Sequence, residues 1–342
     1  MKLFGRTFTR RELERYTGRL DQIAGIRLGQ LMDGREQGVR TADVRNGGGL
    51  TFTVLLDRGM DIGAADYQGT PLAFLTAGAF GHPAYFSEHG TEWLRNWGGG
   101  LVTGCGLRNV GGPSHDNNGD LPMHGRLSNL PAQNIRTARE WTGDDCILVV
   151  EGEIPQTQMF GENLHLTRRV TTVVGSSQLT ITDHVRNAGF RPEPVFILYH
   201  TNWGYPLISE SAHLECSSET TAPRDDIAAD GQEEWMNLQP PTRSYEEKVY
   251  YHEVSPQADG QAMARIVNPE LNLAATIRWR TAELPYLTQW KMMGEGEYVL
   301  GIEPANCHVE GHAEEMKGTP HCVLAPGESR EFTISIGLSI AT

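Results

Sequence analysis

The sequence has no Cys-x-x-Cys pair, no apolar run long enough to cross a membrane and no excess of basic residues. Its five cysteines, Cys105, Cys146, Cys216, Cys307 and Cys322, are odd in number and far apart, which speaks against a disulfide framework or a zinc ribbon and fits a reduced, cytoplasmic setting. With 43 acidic against 29 basic residues the formal net charge is −14, which disfavours a nucleic-acid backbone or an anionic membrane as partner. A neutral small molecule remains compatible. Internal repeats and low-complexity tracts are missing, and the N-terminus lacks the apolar centre of a signal peptide. Gly98-Gly99-Gly100 is no phosphate loop, because no Gly-Lys-Ser/Thr follows it.

What is present points to strands. The 39 glycines and 18 prolines are scattered without a period, as turns between many short strands require, and the 39% hydrophobic content supplies a core. Thr9 and Glu12 have capping-box spacing, Phe8 and Leu13 are placed as a hydrophobic staple, and Leu13, Tyr16, Leu20 and Ile23 recur at helical intervals up to Gly25. This helix packs on the main body or on a second copy, which leaves a homodimer open. From about Ile26 the apolar period becomes two. Phe52, Val54 and Leu56 alternate with threonines; Leu179, Ile181, Asp183 and Val185 share one face; Phe332, Ile334, Ile336, Leu338 and Ile340 share another. Further strands are expected near 147–153, 166–174, 195–200, 271–279 and 299–303. Two long loops are expected, a Gly-rich one over 96–132 and a polar one over 217–245. The chain thus divides into an N-terminal helical segment, 1–26, and a single β domain, 27–342.

Four segments place polar groups where strands would carry apolar ones. Val299-Leu300-Gly301-Ile302-Glu303-Pro304 delivers a carboxylate at the end of an apolar run, a poor place for a plain surface charge. Ile197 to Tyr205 delivers His200 into a cluster with Asn202 and Trp203, and Gln289-Trp290-Lys291 adds a further indole. In Leu121 to Arg126, His124 stands beside Gly125, which leaves room for a ligand. Aromatic faces beside hydrogen-bonding groups suit a sugar ring. Against this stands the plain alternative that each histidine is a satisfied core residue and each tryptophan a core filler. Cys307, His308, Glu310 and His312, with His321 and Cys322, contain enough donors for a metal, but the spacing is not His-Glu-x-x-His and no metal is expected. Arg168 and Arg169 lie on an alternating strand and should point to opposite faces.

Taken in order, Leu121 to Arg126, Val195 to Pro206 and Gly301 to Pro304 resemble the aldose 1-epimerase (galactose mutarotase-like) superfamily. Asp57-Arg58-Gly59-Met60-Asp61-Ile62, Thr103 to Gly111, His124-Gly125-Arg126, Tyr199 to Pro206 and Trp290-Lys291-Met292 resemble more closely its uncharacterised DUF4432 branch. The resemblance spans roughly residues 27 to 340 and implies an all-β fold, a large antiparallel β-supersandwich preceded by the short helix, with a sugar in a cleft on one face. It implies an isomerase that interconverts the anomers of a free monosaccharide or related small sugar by acid/base ring opening, without a cofactor. By motif, Glu303 matches the base and His200 the acid. The implied binding set is His124, Arg58 or Arg108, Arg126, Asn202, Trp203, His252, Trp290 and Lys291. His252 stands in the region where other members carry a sugar-binding aspartate. A sugar-binding or sensing protein without catalysis is the alternative on the same scaffold.

Overall fold

The computed structural model describes residues 1–318 and 322–341. Two antiparallel sheets enclose one hydrophobic cluster that draws side chains from both, among them Phe52, Val54 and Ile62 from one and Leu148, Ile181 and Ile334 from the other. The smaller sheet runs in the order Gln133–Thr142, Asp145–Thr157, Asn163–Val173, Gln178–Asn187, Ser329–Ser339, Leu273–Arg280, Gln261–Asn268 and His213–Cys216. The larger runs Ser218–Pro223, Lys248–Val254, Tyr286–Gly294, Glu297–Ala305, Phe196–Trp203, Val102–Leu107, Asp61–Tyr67, Leu50–Leu55, Arg40–Arg45 and Gly25–Gln30, with Thr70–Pro71 paired to Asp61–Tyr67. Among the described residues no helix is long and apolar enough to cross a membrane.

The expected alternation sets the facing of these strands. Phe332, Ile334, Ile336 and Leu338 are buried, whereas Ile340 lies past the strand end and is 61% exposed. The Gly-rich tract is not a bare loop: it contains Val102–Leu107, a fully buried strand of the larger sheet, and the short hairpin Ser114–Asp116 with Gly119–Leu121. The polar tract likewise begins with Ser218–Pro223, an edge strand paired to Lys248–Val254.

The N-terminal helix is shorter than its apolar spacing suggests. It covers Arg10–Glu14, with the Thr9 and Glu12 capping box in place; of the periodic residues beyond it, Leu20 opens a separate turn, Leu20–Gln22, which Ile23 caps, and Tyr16 lies in neither. Thr17 and Gly18 separate the two, a threonine whose hydroxyl bonds back to Leu13 O and a glycine that costs helix stability. Met1, Leu3, Phe8 and Leu13 join the main hydrophobic cluster, so this apolar surface is covered by the chain itself.

Between the sheets lies a charged knot. Arg168 is fully buried while Arg169 turns outward to Glu140 and Glu151. Arg168 grips Asp183 through two hydrogen bonds of 2.8 and 2.7 Å, donates to Gly59 O at 2.8 Å and lies 3.3 Å from Asp61. Tyr199 OH donates to Asp183 at 2.8 Å, and the Gly104 amide donates to Asp61 at 2.8 Å. Every carboxylate in the knot has more than one donor, which offsets part of the cost of burial, although at Asp61 desolvation still prevails and raises its pKa to about 7. An Arg168→Met variant leaves Asp183 and Asp61 buried without their cation and should lose roughly 3–5 kcal/mol of stability. Urea denaturation monitored by tryptophan fluorescence checks this; an unchanged midpoint would count against the knot as the clamp between the sheets.

Candidate active site

The outer face of the larger sheet carries a cleft of about 430 Å³ lined by His124, His200, Trp290 and Glu303 together with Trp93, Trp97, Thr288, Arg224 and Glu247. Strand parity explains the membership. On Phe196–Trp203, Tyr199, Thr201 and Trp203 turn away from the cleft, and Tyr199 and Trp203 enter the main cluster, leaving His200 on the outer face. On Glu297–Ala305, Ile302 and Leu300 face inward, and Glu303 stands outward beside Gly301. A side chain at Gly301 would have its Cβ 2.4 Å from Glu303 Oε1, so this glycine makes the room in which the carboxylate lies. Thr288 and Trp290, two apart on the neighbouring strand, also line the cleft, and Thr288 pairs in register with Glu303.

Beyond the cleft the same outer face is sealed by a second apolar cluster, Cys105, Val110, Phe196, Leu198, Ala305, Cys307 and Cys322.

His200 Nε2 lies 3.3 Å from Glu303 Oε1, without the alignment of a hydrogen bond. Oε1 therefore has no donor, His200 Nδ1 has no partner and the Thr288 hydroxyl has none, although all three are buried. Unmet polar atoms in a cleft are poised for a ligand that carries hydroxyls. His124 adopts a left-handed backbone, φ 55°, and Gly125 follows at φ 74°. A Cβ at Gly125 would meet Gly106 O at 2.2 Å, so the turn that aims His124 requires glycine there. The Gly111 amide approaches His124 Nδ1 at 3.4 Å, which places the ring proton on Nε2. Trp93 and Trp97 stack at 5.3 Å, and Trp97 and Trp290 lie 5.5 and 5.4 Å from the His200 ring. Three indoles thus wall the pair in.

The surrounding protein sets the charges. Desolvation pulls the pKa of His124 down to about 4 and that of His200 to about 3, so both rings are neutral near pH 7. Burial raises Glu303 well above the usual carboxylate range, with Glu247 adding to the rise and Arg224 opposing it.

The remaining sequence-derived residues lie elsewhere. Arg58 donates to Gly81 O and to Asn129, and Arg108 pairs with Asp116 and Glu193. Arg126 bonds Glu88 at 2.6 Å and Asp120 O at 3.0 Å. Asn202 uses its amide nitrogen on Gly100 O and His200 O, both at 2.9 Å, and Trp203 donates to Thr201 at 3.0 Å inside the core. His252 Nε2 donates to Gln289 at 3.0 Å, and Lys291 reaches Glu234 O at 3.1 Å. The arginine that does line the cleft is Arg224, on the polar tract, paired with Asp225 and Glu247. Sequence reasoning also missed Thr288 and the Trp93/Trp97 pair, whose four-residue spacing just before Gly98 was the available signal.

The donors around Cys307 are dispersed. His308 packs against Tyr251 and Tyr286, Glu310 accepts from Tyr251 OH, His312 Nδ1 bonds Arg108 O, and Cys307 and Cys322 lie in the second apolar cluster. His321 lies outside the described residues. Among the described residues no group of three or more such side chains could hold a metal ion.

The two histidines give stability an acid-side slope. Below about pH 6.5 the unfolded chain binds protons that the folded chain refuses until about 4 at His124 and about 3 at His200. The rings' contribution to stability must therefore fall as pH falls through that window, by up to ~1.4 kcal/mol per pH unit for each ring. Glu303 and Asp61, both raised by burial, work in the opposite direction. The rings' share is therefore read by difference: in urea titrations at about pH 7 and about pH 5 the stability of the parent relative to His200→Gln should fall as pH falls, and an unchanged difference would overturn the assignment.

A family model described as a domain of unknown function, DUF4432, matches residues 36–338. No curated protein matches the chain. Among solved structures, a candidate aldose 1-epimerase from Klebsiella pneumoniae superposes with a TM-score of 0.87 at 25% identity, covering 93% of this chain and 86% of that one. A galactose mutarotase-like protein from Clostridium acetobutylicum gives 0.66 at 13% identity, covering 93% and 99%. Galactose 1-epimerase from Lactobacillus acidophilus gives 0.59 at 12% identity, covering 93% and 100%. The chain has the galactose mutarotase-like fold, and by the span of the match it belongs to the DUF4432 family.

Proposed function

We propose that the protein interconverts the anomers of a free small sugar, with Glu303 and His200 as the proton-transferring pair. The observation that carries this reading is the 3.3 Å approach of His200 Nε2 to Glu303 Oε1 inside an indole-walled cleft where Glu303 Oε1 accepts no hydrogen bond. The likeness to the Klebsiella protein supports it at the level of the fold family.

In this mechanism the pair starts with one transferable proton on the carboxyl, the form that burial favours at Glu303. Moving that proton across to His200 yields a carboxylate and an imidazolium without exchange with solvent. The carboxylate then takes the proton from the anomeric hydroxyl while the imidazolium gives its own to the ring oxygen, and the ring opens as an aldehyde. Rotation about the C1–C2 bond presents the other carbonyl face, and the reverse transfers reclose the ring. Protons balance, mass is unchanged and no metal is called for. His124 Nε2–H and the Thr288 hydroxyl would hold sugar oxygens, and the indoles would cover the apolar C–H face.

Because the pair needs one proton in total, kcat/KM should be bell-shaped in pH, with limbs that belong to the pair rather than to either residue. Saturation-transfer NMR on a panel of sugars tests the assignment: Glu303→Gln and His200→Gln should each slow anomer exchange about 100-fold or more. A Glu303→Gln variant as active as the parent would sink the proposal, and tight sugar binding without exchange would make the protein a binder. Thr288→Val, which removes only the hydroxyl, should lower kcat/KM roughly 3- to 10-fold, whereas Thr288→Ser should retain it.

A further inference from the structure

Beside the Glu303 and His200 cleft lies a second cavity of about 760 Å³. Leu94, Trp97, Glu247 and Trp290 line both, so the two spaces meet along a common wall. That wall is aromatic with one polar edge: Trp97 and Trp290 lie 5.8 Å apart, and Trp290 Nε1 donates to Glu247 at 2.8 Å. On the second cavity's own side, Phe74, Met292 and Val299 provide apolar surface. On other sides the first cleft is lined by His124, whose ring lies 4.8 Å from that of Trp93, and by Glu310, held by Tyr251. A ligand that outgrows the cleft can cross the edge of the shared indoles into this second space.

The charges argue for an uncharged occupant. Glu247, Glu295 and Glu297 face this space against Arg35 and Arg95. Both cations are engaged, Arg35 over the Tyr85 ring at 5.1 Å and with Asn96, Arg95 with Glu92. A phosphate or carboxylate would meet more negative charge than positive. A flat apolar surface edged by carboxylates that accept hydroxyl protons is the chemistry that receives a sugar ring.

We infer that the substrate is a reducing oligosaccharide, its reducing ring at Glu303 and His200 and the next ring in the cavity beyond Trp97 and Trp290. The inference rests on the anomer-exchange reading, which requires the reacting anomeric carbon to be free. The second ring must then be joined through another hydroxyl, as in a disaccharide that still has a reducing end.

The experiment compares glucose and galactose with maltose, cellobiose, lactose and melibiose by saturation-transfer NMR, using the full chain and an Ala77→Trp variant. Ala77 is an exposed turn residue of the second cavity and lies outside the first cleft. At least one disaccharide should show a kcat/KM tenfold or more above its parent monosaccharide. Ala77→Trp should abolish that gain and leave monosaccharide exchange within twofold. If monosaccharides match or exceed every disaccharide, if the gain survives Ala77→Trp, or if glucose 6-phosphate is preferred to all neutral sugars, the inference falls while anomer exchange stands. No acceleration of any sugar would bring down both. Should Ala77→Trp fail to fold, the parent's preference decides.

Discussion

Arg168 is the side chain on which the arrangement of the two sheets depends. Its guanidinium, in the dry space between them, joins Asp183 of the smaller sheet to Asp61 of the larger and to Gly59 in the turn that precedes it. An isolated charge there would be prohibitively costly, so each group fixes the position of the others. Tyr199 takes part in the same knot through Asp183, and Tyr199 immediately precedes His200 on its strand. The interior ion network thus anchors, from below, the strand that presents His200 above. The Asp57-Arg58-Gly59-Met60-Asp61 segment finds its use in this support: Asp57 pairs with Arg40, Arg58 ties Gly81 to Asn129, and Asp61 completes the knot.

Support from below leaves the outer face of the sheet free for chemistry. One end of that face is sealed by the cluster around Phe196 and Cys307, and the other stays open between three tryptophans. The indoles shield Glu303 and His200 from water, and burial raises the pKa of the one and lowers that of the other. Packing and protonation are therefore one constraint in this site, since the same side chains that wall the cleft also set the charge of the groups inside it.

Much of this was legible from periodicity. Asp183, in phase with Leu179, Ile181 and Val185, did face inward, and Arg168 and Arg169 did part to opposite faces. Alternation carried further would have separated His200 from Trp203 and Trp290 from Lys291, because residues of opposite parity on one strand cannot share a cleft. What periodicity could not reach came from irregular backbone. Arg224 arrives from a polar tract between strands, and Trp93 and Trp97 from a four-residue helix and its end, and no repeat marks such residues. Their places depend on how distant segments meet.

The sequence by itself determined the strand-rich architecture, the inward and outward faces of its strands, the capping box at Thr9 and the prominence of Glu303, His200 and His124, because these follow from local pattern. Only the tertiary structure decided that these three side chains meet with Trp290 in one cleft, that Arg58 and Arg108 lie outside it, and that a second cavity shares its wall. Strands far apart in the chain become neighbours through sheet pairing, and the burial that results fixes both the distances and the charges on which the chemistry turns.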